Sequence, residues 1–260
     1  MRQGVERNHV LYLIQDVKTL WHSTLLMAER MLKLHFYIKD IFNYRQQYKD
    51  MRKNLLDENE IVNLKETVNA LASFNQVSVL LSGDTYATCS LIIPSTKYLE
   101  KQPNKKKSEI SPFIMILKLH LLESLKTYKD SYDLENNSYL LCATSLDPSY
   151  KNIIDDEDDD SGNDSDKTIS LDFKKEISGY IKLSVHDQNV LHFWHQNQHV
   201  FTMLYCISKM ILCTPATSAP SERLFSDALN NLYAKRNRMT TKCFQMLMSL
   251  YENLEFFNLV

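Results

Sequence analysis

The sequence predicts a mainly α-helical protein, and two observations carry that prediction. Apolar residues make up 44% of the 260 residues, whereas only four residues are glycine and six are proline. Such a composition favours helices over a turn-rich β fold. Apolar residues also recur at steps of three and four in several long segments, which is the period of an amphipathic helix. A short apolar run from Val10 to Ile14 is compatible with one remnant strand.

Composition also excludes several classes of protein. The five cysteines are an odd number, lie far apart and form no Cys-x-x-Cys pair. Neither a disulfide framework nor a zinc ribbon is therefore indicated, and we expect buried free thiols in a reducing compartment. No apolar run is long enough to span a bilayer, and the N-terminus has no apolar signal segment. We therefore expect an intracellular protein without a membrane anchor, a metal site or a cofactor.

An acidic run divides the chain by charge. Eight of the 32 acidic residues lie between Asp155 and Asp166, which leaves 24 acidic against 30 basic residues elsewhere. We predict three parts: residues 1–152, an acidic linker at residues 153–167, and residues 168–260. A mildly basic body fits association with nucleic acid but does not establish it. For the acidic run itself, a solvated linker is the expected role.

The first part of the chain carries helix signals in order. Apolar residues from Leu13 to Ile41 alternate steps of four and three, which predicts an amphipathic helix of about six turns. Asp57, with Glu60 three residues later, is a capping pair that predicts the start of a second helix. Gly83 is the stop signal expected after that helix.

Two prolines mark further boundaries. Pro94 is expected to break or kink the apolar run from Leu91 to Leu99. Ser111-Pro112 predicts another helix start, with a capping residue followed by proline at the first helical position. The lysines at positions 105–107 lie between them in a loop that we expect to be solvated, with phosphate contact as the alternative.

The next segments contain a turn signal and a possible metal pattern. A short apolar element ends at Asp147-Pro148, which predicts a turn, and helical periodicity resumes over residues 171–183 and 190–212. His192, His195 and His199 would share one face of the latter helix, which is metal-ligand geometry in principle. No glutamate follows the first histidine as in a zincin motif. We therefore expect solvent-facing or core histidines rather than a metal site.

The densest pattern lies at the C-terminal end. A small-residue loop with two prolines leads into Ser221-Glu222-Arg223 and an apolar helical stripe, and the basic turn Lys235-Arg236-Asn237-Arg238 follows. A second helix then carries apolar residues at heptad spacing. These features predict an αα-hairpin with more apolar surface than two short helices hide against each other, and we expect it to mediate dimerisation. The residues predicted to form this surface are Leu224, Phe225, Leu229, Leu247, Leu250, Leu254 and Phe257.

The same residues resemble a known family. The run from Pro215 to Ser226, the basic turn and the final Met/Leu-rich helix are similar to the C-terminal dimerisation region of hAT-superfamily transposases. Transposase-derived proteins of the zinc-finger BED type share that region. The blocks from Asp16 to Thr24 and from Leu146 to Lys151 also resemble hAT blocks. The resemblance implies a hAT-type helical insertion plus the C-terminal helices of a truncated RNase H-like transposase core.

The resemblance assigns two further candidate residues. In the family, the tryptophan at the position of Trp21 handles DNA at the transposon end, where an indole stacks on an unpaired base; the ordinary alternative is a core position. The glutamate at the position of Glu222 is the last carboxylate of an Asp, Asp, Glu triad that binds two divalent ions. Its ordinary alternative is a carboxylate favoured by the helix dipole. Ala219 cannot supply the hydroxyl of a capping box there.

The resemblance implies no catalytic activity for this chain. The family's two aspartates lie upstream of the tryptophan block, and nothing here corresponds to them or to the BED zinc finger. One carboxylate cannot hold a two-metal pair, so Glu222 is expected to be vestigial. The residues expected to contact nucleic acid weakly are Trp21, Lys235, Arg236 and Arg238.

The expected function is therefore that of a transposase-derived protein that dimerises and associates weakly with DNA in the nucleus. We expect a homodimer, no membrane partner and no small-molecule substrate. One alternative is the C-terminal fragment of an active hAT transposase that cleaves and joins DNA with metal ions. Two others are a monomer whose helical insertion covers the hairpin, and a fragment that does not fold stably.

Overall fold

The computed structural model describes residues 11–16, 21–101, 111–153, 171–184, 189–226 and 240–253. Those residues form helices joined by turns and contain no strand, so the mainly α-helical prediction is confirmed. The chain divides into two compact units. Unit 1 comprises Met1–Val77 and Leu99–Tyr128, and unit 2 comprises Ser78–Tyr98 and Lys129–Val260.

Ten α-helices follow one another in the described residues, with short 3-10 turns at Gln46–Asn54, Cys89–Leu91 and Lys151–Ile153. The ninth is described over residues 219–226. The other helices are α1 Trp21–Tyr44, α2 Glu58–Leu81, α3 Ile92–Lys101, α4 Pro112–Ser131, α5 Ser138–Ser145, α6 Leu171–Ile181, α7 Val190–Gln196, α8 Thr202–Leu212 and α10 Thr241–Glu252; residues 219–226 are α9.

Of the two N-terminal predictions, the strand needs correction and the helix does not. Residues 11–16 form neither strand nor helix, and the side chains of Leu11, Tyr12 and Leu13 are exposed; Val10 lies outside the described residues. The predicted helix of about six turns is confirmed, since α1 has 24 residues and begins at Trp21. The carboxylate of Asp16 accepts hydrogen bonds from Ser23 Oγ at 2.7 Å and from Thr24 Oγ1 at 2.8 Å. These bonds hold the preceding segment against the first turn of α1, so it does not extend the helix.

Unit 1 confirms the predicted capping pair. Asp57 Oδ1 accepts from the backbone N–H of Glu60 at 2.7 Å, and the Asp57 N–H donates to Glu60 Oε2 at 2.8 Å. This reciprocal pair is a capping box that satisfies two backbone donors at the start of α2. The end of α1 is closed by Arg52, whose guanidinium donates to the carbonyls of Phe42 at 2.6 Å and Asn43 at 2.8 Å. Side chains close in sequence therefore pair with free backbone groups at the end of α1 and at the start of α2.

The proline and glycine signals had mixed outcomes. Ser111-Pro112 starts α4 as predicted, and α2 ends at Leu81, two residues before Gly83. The ring of Tyr86 occupies the space that a Cβ at Gly83 would need, so glycine permits this close approach. Pro94, however, does not break the run. It is the third residue of α3, in the first turn, where a backbone N–H has no acceptor within the helix.

Unit 2 contains the main core. One buried cluster joins the end of α5 to helices α6, α7 and α8, and a second joins the turn at Cys89–Leu91 to α5. The first cluster is rich in aromatic rings, which bury large apolar areas. Its buried members are Ala87, Leu146, Tyr180, Val190, Phe193, Trp194, Phe201, Leu204 and Leu212.

Candidate functional site

The residues from Leu146 to Lys151, which follow α5, connect several elements of unit 2 and are called its hub. The carbonyl of Leu146 accepts a hydrogen bond of 2.8 Å from the indole Nε1–H of Trp194. Buried Asp147 accepts from Ser90 Oγ at 2.9 Å and from the N–H of Ser149 at 3.0 Å. Burial raises the pKa of the Asp147 carboxyl, whereas the bonds from Ser149 and Ser90 oppose that rise. This block therefore positions α7 and the turn before α3 around the end of α5.

Lys151 closes the C-terminal end of α6. Its buried ammonium donates to the carbonyls of Tyr180 at 2.9 Å, Ile181 at 3.1 Å and Leu183 at 2.6 Å. It also lies 5.0 Å from the centroid of the Tyr180 ring. A cation at this end satisfies carbonyls that have no partner within the helix and complements the helix dipole. Burial lowers the pKa of Lys151.

Trp194 is the centre of the aromatic cluster. Its side chain is only 2% exposed, and its ring centroid lies 5.2 Å from Tyr180 and from Phe193 and 6.5 Å from Phe201. The tilted and edge-on ring arrangements are those that aromatic pairs prefer. Trp194 therefore ties α6, α7 and the residue before α8 together.

The start of α8 is fixed by a carboxylate from α6. Glu176 accepts from the N–H of Met203 at 3.0 Å and from the N–H of Leu204 at 3.0 Å. A negative charge at a helix N-terminus satisfies free donors and complements the dipole. Helix α8 is consequently held at its first turn by this bond and along one face by the apolar core.

The Ser-Glu-Arg motif and the loop before it are both hydrogen-bonded to the segment that follows α2. Arg223 donates to the carbonyl of Ser82 at 2.8 Å and to Asp84 Oδ2 at 2.8 Å. Upstream, the N–H of Ala216 donates to Thr88 Oγ1 at 2.9 Å. The crevice between these two segments has a volume of about 230 Å³, and its lining includes Asp84 and Tyr86 beside small and apolar residues. The motif arginine is thus used in a structural clamp.

Glu222 has a structural partner that the sequence analysis missed. Ser218 Oγ donates to Glu222 Oε1 at 2.6 Å, and the N–H of Glu222 donates to the Ser218 carbonyl at 2.9 Å. Although Ala219 lacks a hydroxyl, the residue before it supplies one, so the carboxylate is held at the first turn of α9. Among the described residues, no group of three or more His, Cys, Asp or Glu side chains is arranged to hold a metal ion.

The predicted dimerisation residues do not share one environment. Leu224 and Leu247 are half-buried, whereas Phe225 is 68% exposed and Leu250 is 46% exposed. In α10, Met248 is buried, so this helix turns one side toward its own chain and another outward. Leu229, Leu254 and Phe257 lie outside the described residues. The role of all seven residues in dimerisation stays a prediction.

A second apolar stripe went unnoticed in the sequence. The outward face of α8 carries Met203, Cys206 and Met210, and exposed Cys213 follows the helix. Their steps of three, four and three are the heptad spacing already recognised in the final helix. Helix α8 is apolar almost all round, so periodicity alone did not separate its buried face from its exposed one.

The side chains predicted to contact nucleic acid lie outside the part of the chain that the structure describes. Trp21 is the first residue of α1, but its side chain lies outside the described part, as do Lys235, Arg236 and Arg238. His192 and His195 lie exposed on α7, whereas His199 follows the end of that helix. The three histidines therefore do not share one helix face.

Comparison with known families finds a match in the C-terminal part of the chain. Residues 172–254 match the hAT family C-terminal dimerisation region. No curated protein matches the chain. Within the described residues, no helix has the length and apolar character needed to cross a membrane. The matched segment runs from α6 to α10 and contains Trp194, the Ser-Glu-Arg motif and the outward face of α8. Residues 172–254 of this chain are thus similar to the C-terminal dimerisation region of the hAT family.

Proposed function

We propose that this chain is a transposase-related protein that forms a homodimer through residues 172–254. The observation that carries the proposal is the match of these residues to a dimerisation region. Their surface supports it, because Phe225, Met246 and Leu250 expose 68%, 65% and 46% of their surface, respectively. Met246 and Leu250 lie one turn apart on α10, and an exposed apolar patch is typical of a site that contacts another protein.

Two differently tagged copies of the full chain test this proposal. When they are produced together, we expect each tag to recover the other copy, and we expect Leu250→Asp in both copies to reduce that recovery strongly. A carboxylate at an apolar contact loses its water without gaining a partner. Leu119→Asp is the matched control, because Leu119 is 56% exposed on α4, outside the matched region. Failure of wild-type copies to recover each other would contradict the proposal.

We further propose that the protein acts in the nucleus, touches DNA weakly and does not cleave it. The bond between Ser218 and Glu222 supports a structural role for the one carboxylate that the family resemblance singles out. The weak DNA contact is ascribed to Trp21, Lys235, Arg236 and Arg238, as expected from sequence. Phosphate contacts by a few cations are sensitive to salt and read no base sequence.

A cleavage assay separates this proposal from the alternative of an active transposase fragment. With Mg²⁺ or Mn²⁺ and duplex DNA, we expect the purified chain and its Glu222→Gln variant to give the same background, because one carboxylate cannot hold two metal ions. Cleavage by the wild-type chain that disappears in the Glu222→Gln variant would favour the enzyme instead.

A further inference from the structure

The outward face of α8 is an apolar stripe on a helix that its own chain holds firmly. Met203 is 41% exposed and Met210 is 66% exposed, and the thiols of Cys206 and Cys213 are also exposed. On the opposite face, Leu204, Ser208 and Leu212 are buried. The two faces of α8 therefore differ: one face completes the core of unit 2, and the other is exposed to solvent.

Charge is absent from the centre of this stripe. Lys209 is the only charged residue in α8, and its ammonium lies 5.3 Å from the centroid of the Tyr205 ring. A cation over an aromatic ring is attracted to the ring face, so Lys209 is drawn to the side of the stripe. What remains along the middle is methionine and cysteine, which are soft, adaptable apolar side chains.

An uncharged stripe suits pairing with an identical stripe. In a twofold interface, residues near the axis lie opposite their own copies, so a charge there would meet the same charge. The steps of three, four and three also match the a and d positions of a heptad, which let two helices pack at a small crossing angle. Because the core and Glu176 already hold α8 in place, little conformational freedom is lost when it binds.

We propose that the α8 stripe of one chain packs against the α8 stripe of a second copy, with its two central members, Cys206 and Met210, closest to the twofold axis. This inference rests on the proposed homodimer and names the surface that forms it. A stable interface buries about 800 Å² per partner, more than one short helix supplies. Other exposed apolar side chains of residues 172–254 must therefore supply the rest of the contact, with α8 at its centre.

Thiol cross-linking tests the position of Cys206. The full chain with Cys142, Cys213 and Cys243 replaced by serine retains exposed Cys206 and buried Cys89. A short bismaleimide should convert this variant to a covalent dimer, and the further change Cys206→Ser should abolish the product. A dimer in solution that gives no cross-link through Cys206, or one that links Cys206 to Cys243 in the wild-type chain, would overturn the α8 pairing.

A charge placed in the stripe tests its contribution to affinity. Met210→Lys sets two ammonium groups against each other near the axis, and we expect the dissociation constant to rise about tenfold or more. Met115→Lys is the matched control, since Met115 is 59% exposed on α4, and it should leave the dimer unchanged. Met210 is already 66% exposed, so its replacement should not alter the fold, which circular dichroism checks.

The two proposals fail in different ways. If the wild-type chain stays monomeric, the proposed homodimer is wrong and the α8 contact falls with it. If the wild-type chain dimerises, and Leu250→Asp weakens the dimer while Met210→Lys does not, only the α8 contact is wrong.

Discussion

Trp194→Ala is expected to lower the free energy of unfolding by about 3–5 kcal/mol, the range for truncating a large aromatic residue in a core. The indole is 2% exposed, lies among three aromatic rings and donates to the Leu146 carbonyl at 2.8 Å. Alanine leaves a cavity and an unpaired buried acceptor. Natural domains have only about 5–15 kcal/mol of stability, so much of the stability of unit 2 should be lost.

Urea unfolding followed by circular dichroism measures this change. Leu191→Ala is the matched control, because Leu191 lies on the same helix and is 46% exposed. Surface substitutions of this kind usually change stability by about 0.5 kcal/mol or less. Equal losses in the two variants would show that Trp194 is not the centre of the core.

Lys151→Met is expected to cost about 2–4 kcal/mol, even though methionine fits the aliphatic space of the lysine stem. The substitution removes three charge-assisted hydrogen bonds and leaves the carbonyls of Tyr180, Ile181 and Leu183 without that donor. Unpaired buried acceptors cost roughly 1–3 kcal/mol each at most sites. Relief of the desolvation of the ammonium offsets part of that loss.

Lys97→Met is the matched comparison for Lys151→Met, because it removes a lysine that donates to one carbonyl instead of three. Lys97 Nζ donates to one carbonyl, that of Ile153, at 3.1 Å. We expect a loss of about 1 kcal/mol for this single bond, measured by the same urea unfolding. A loss for Lys97→Met as large as that for Lys151→Met would mean that the three-carbonyl cap has no special weight.

The local signals in the sequence predicted the boundaries of helices. The pair of Asp57 and Glu60 gave the start of α2, and Ser111-Pro112 gave the start of α4. Both signals act within one helical turn, so a single segment contains all the information. Pro94 was misleading because the effect of a proline depends on its position. Proline disrupts the interior of a helix but is harmless in the first turn, where Pro94 lies.

The hub of unit 2 was not predictable in this way. The Trp194 indole meets the Leu146 carbonyl across 48 residues, and Lys151 reaches the carbonyl of Tyr180 across 29 residues. Nothing in either local segment names the partner. The block from Leu146 to Lys151 was recognised only as a family resemblance, and its structural role needed the tertiary contacts.

The candidate dimer surface shows a second limit of periodicity. Heptad spacing in the final helix grouped Leu247 with Leu250, yet Leu247 is half-buried and Leu250 is exposed. In α8, apolar residues lie on both faces, and only burial distinguishes Leu204 from Met203. A periodic pattern of apolar residues predicts that a helix has an apolar face, but it does not predict whether that face packs in the core or is exposed.

Sedimentation equilibrium of the full chain tests homodimer formation most directly, because it measures mass in solution without tags, cross-linkers or substitutions. The chain has a mass of 30.5 kDa. At concentrations up to roughly 50 μM, where even weak association is detectable, we predict a mass that rises with concentration toward twice that value. A folded chain that stays at 30.5 kDa throughout would contradict the proposal that residues 172–254 make this protein a homodimer.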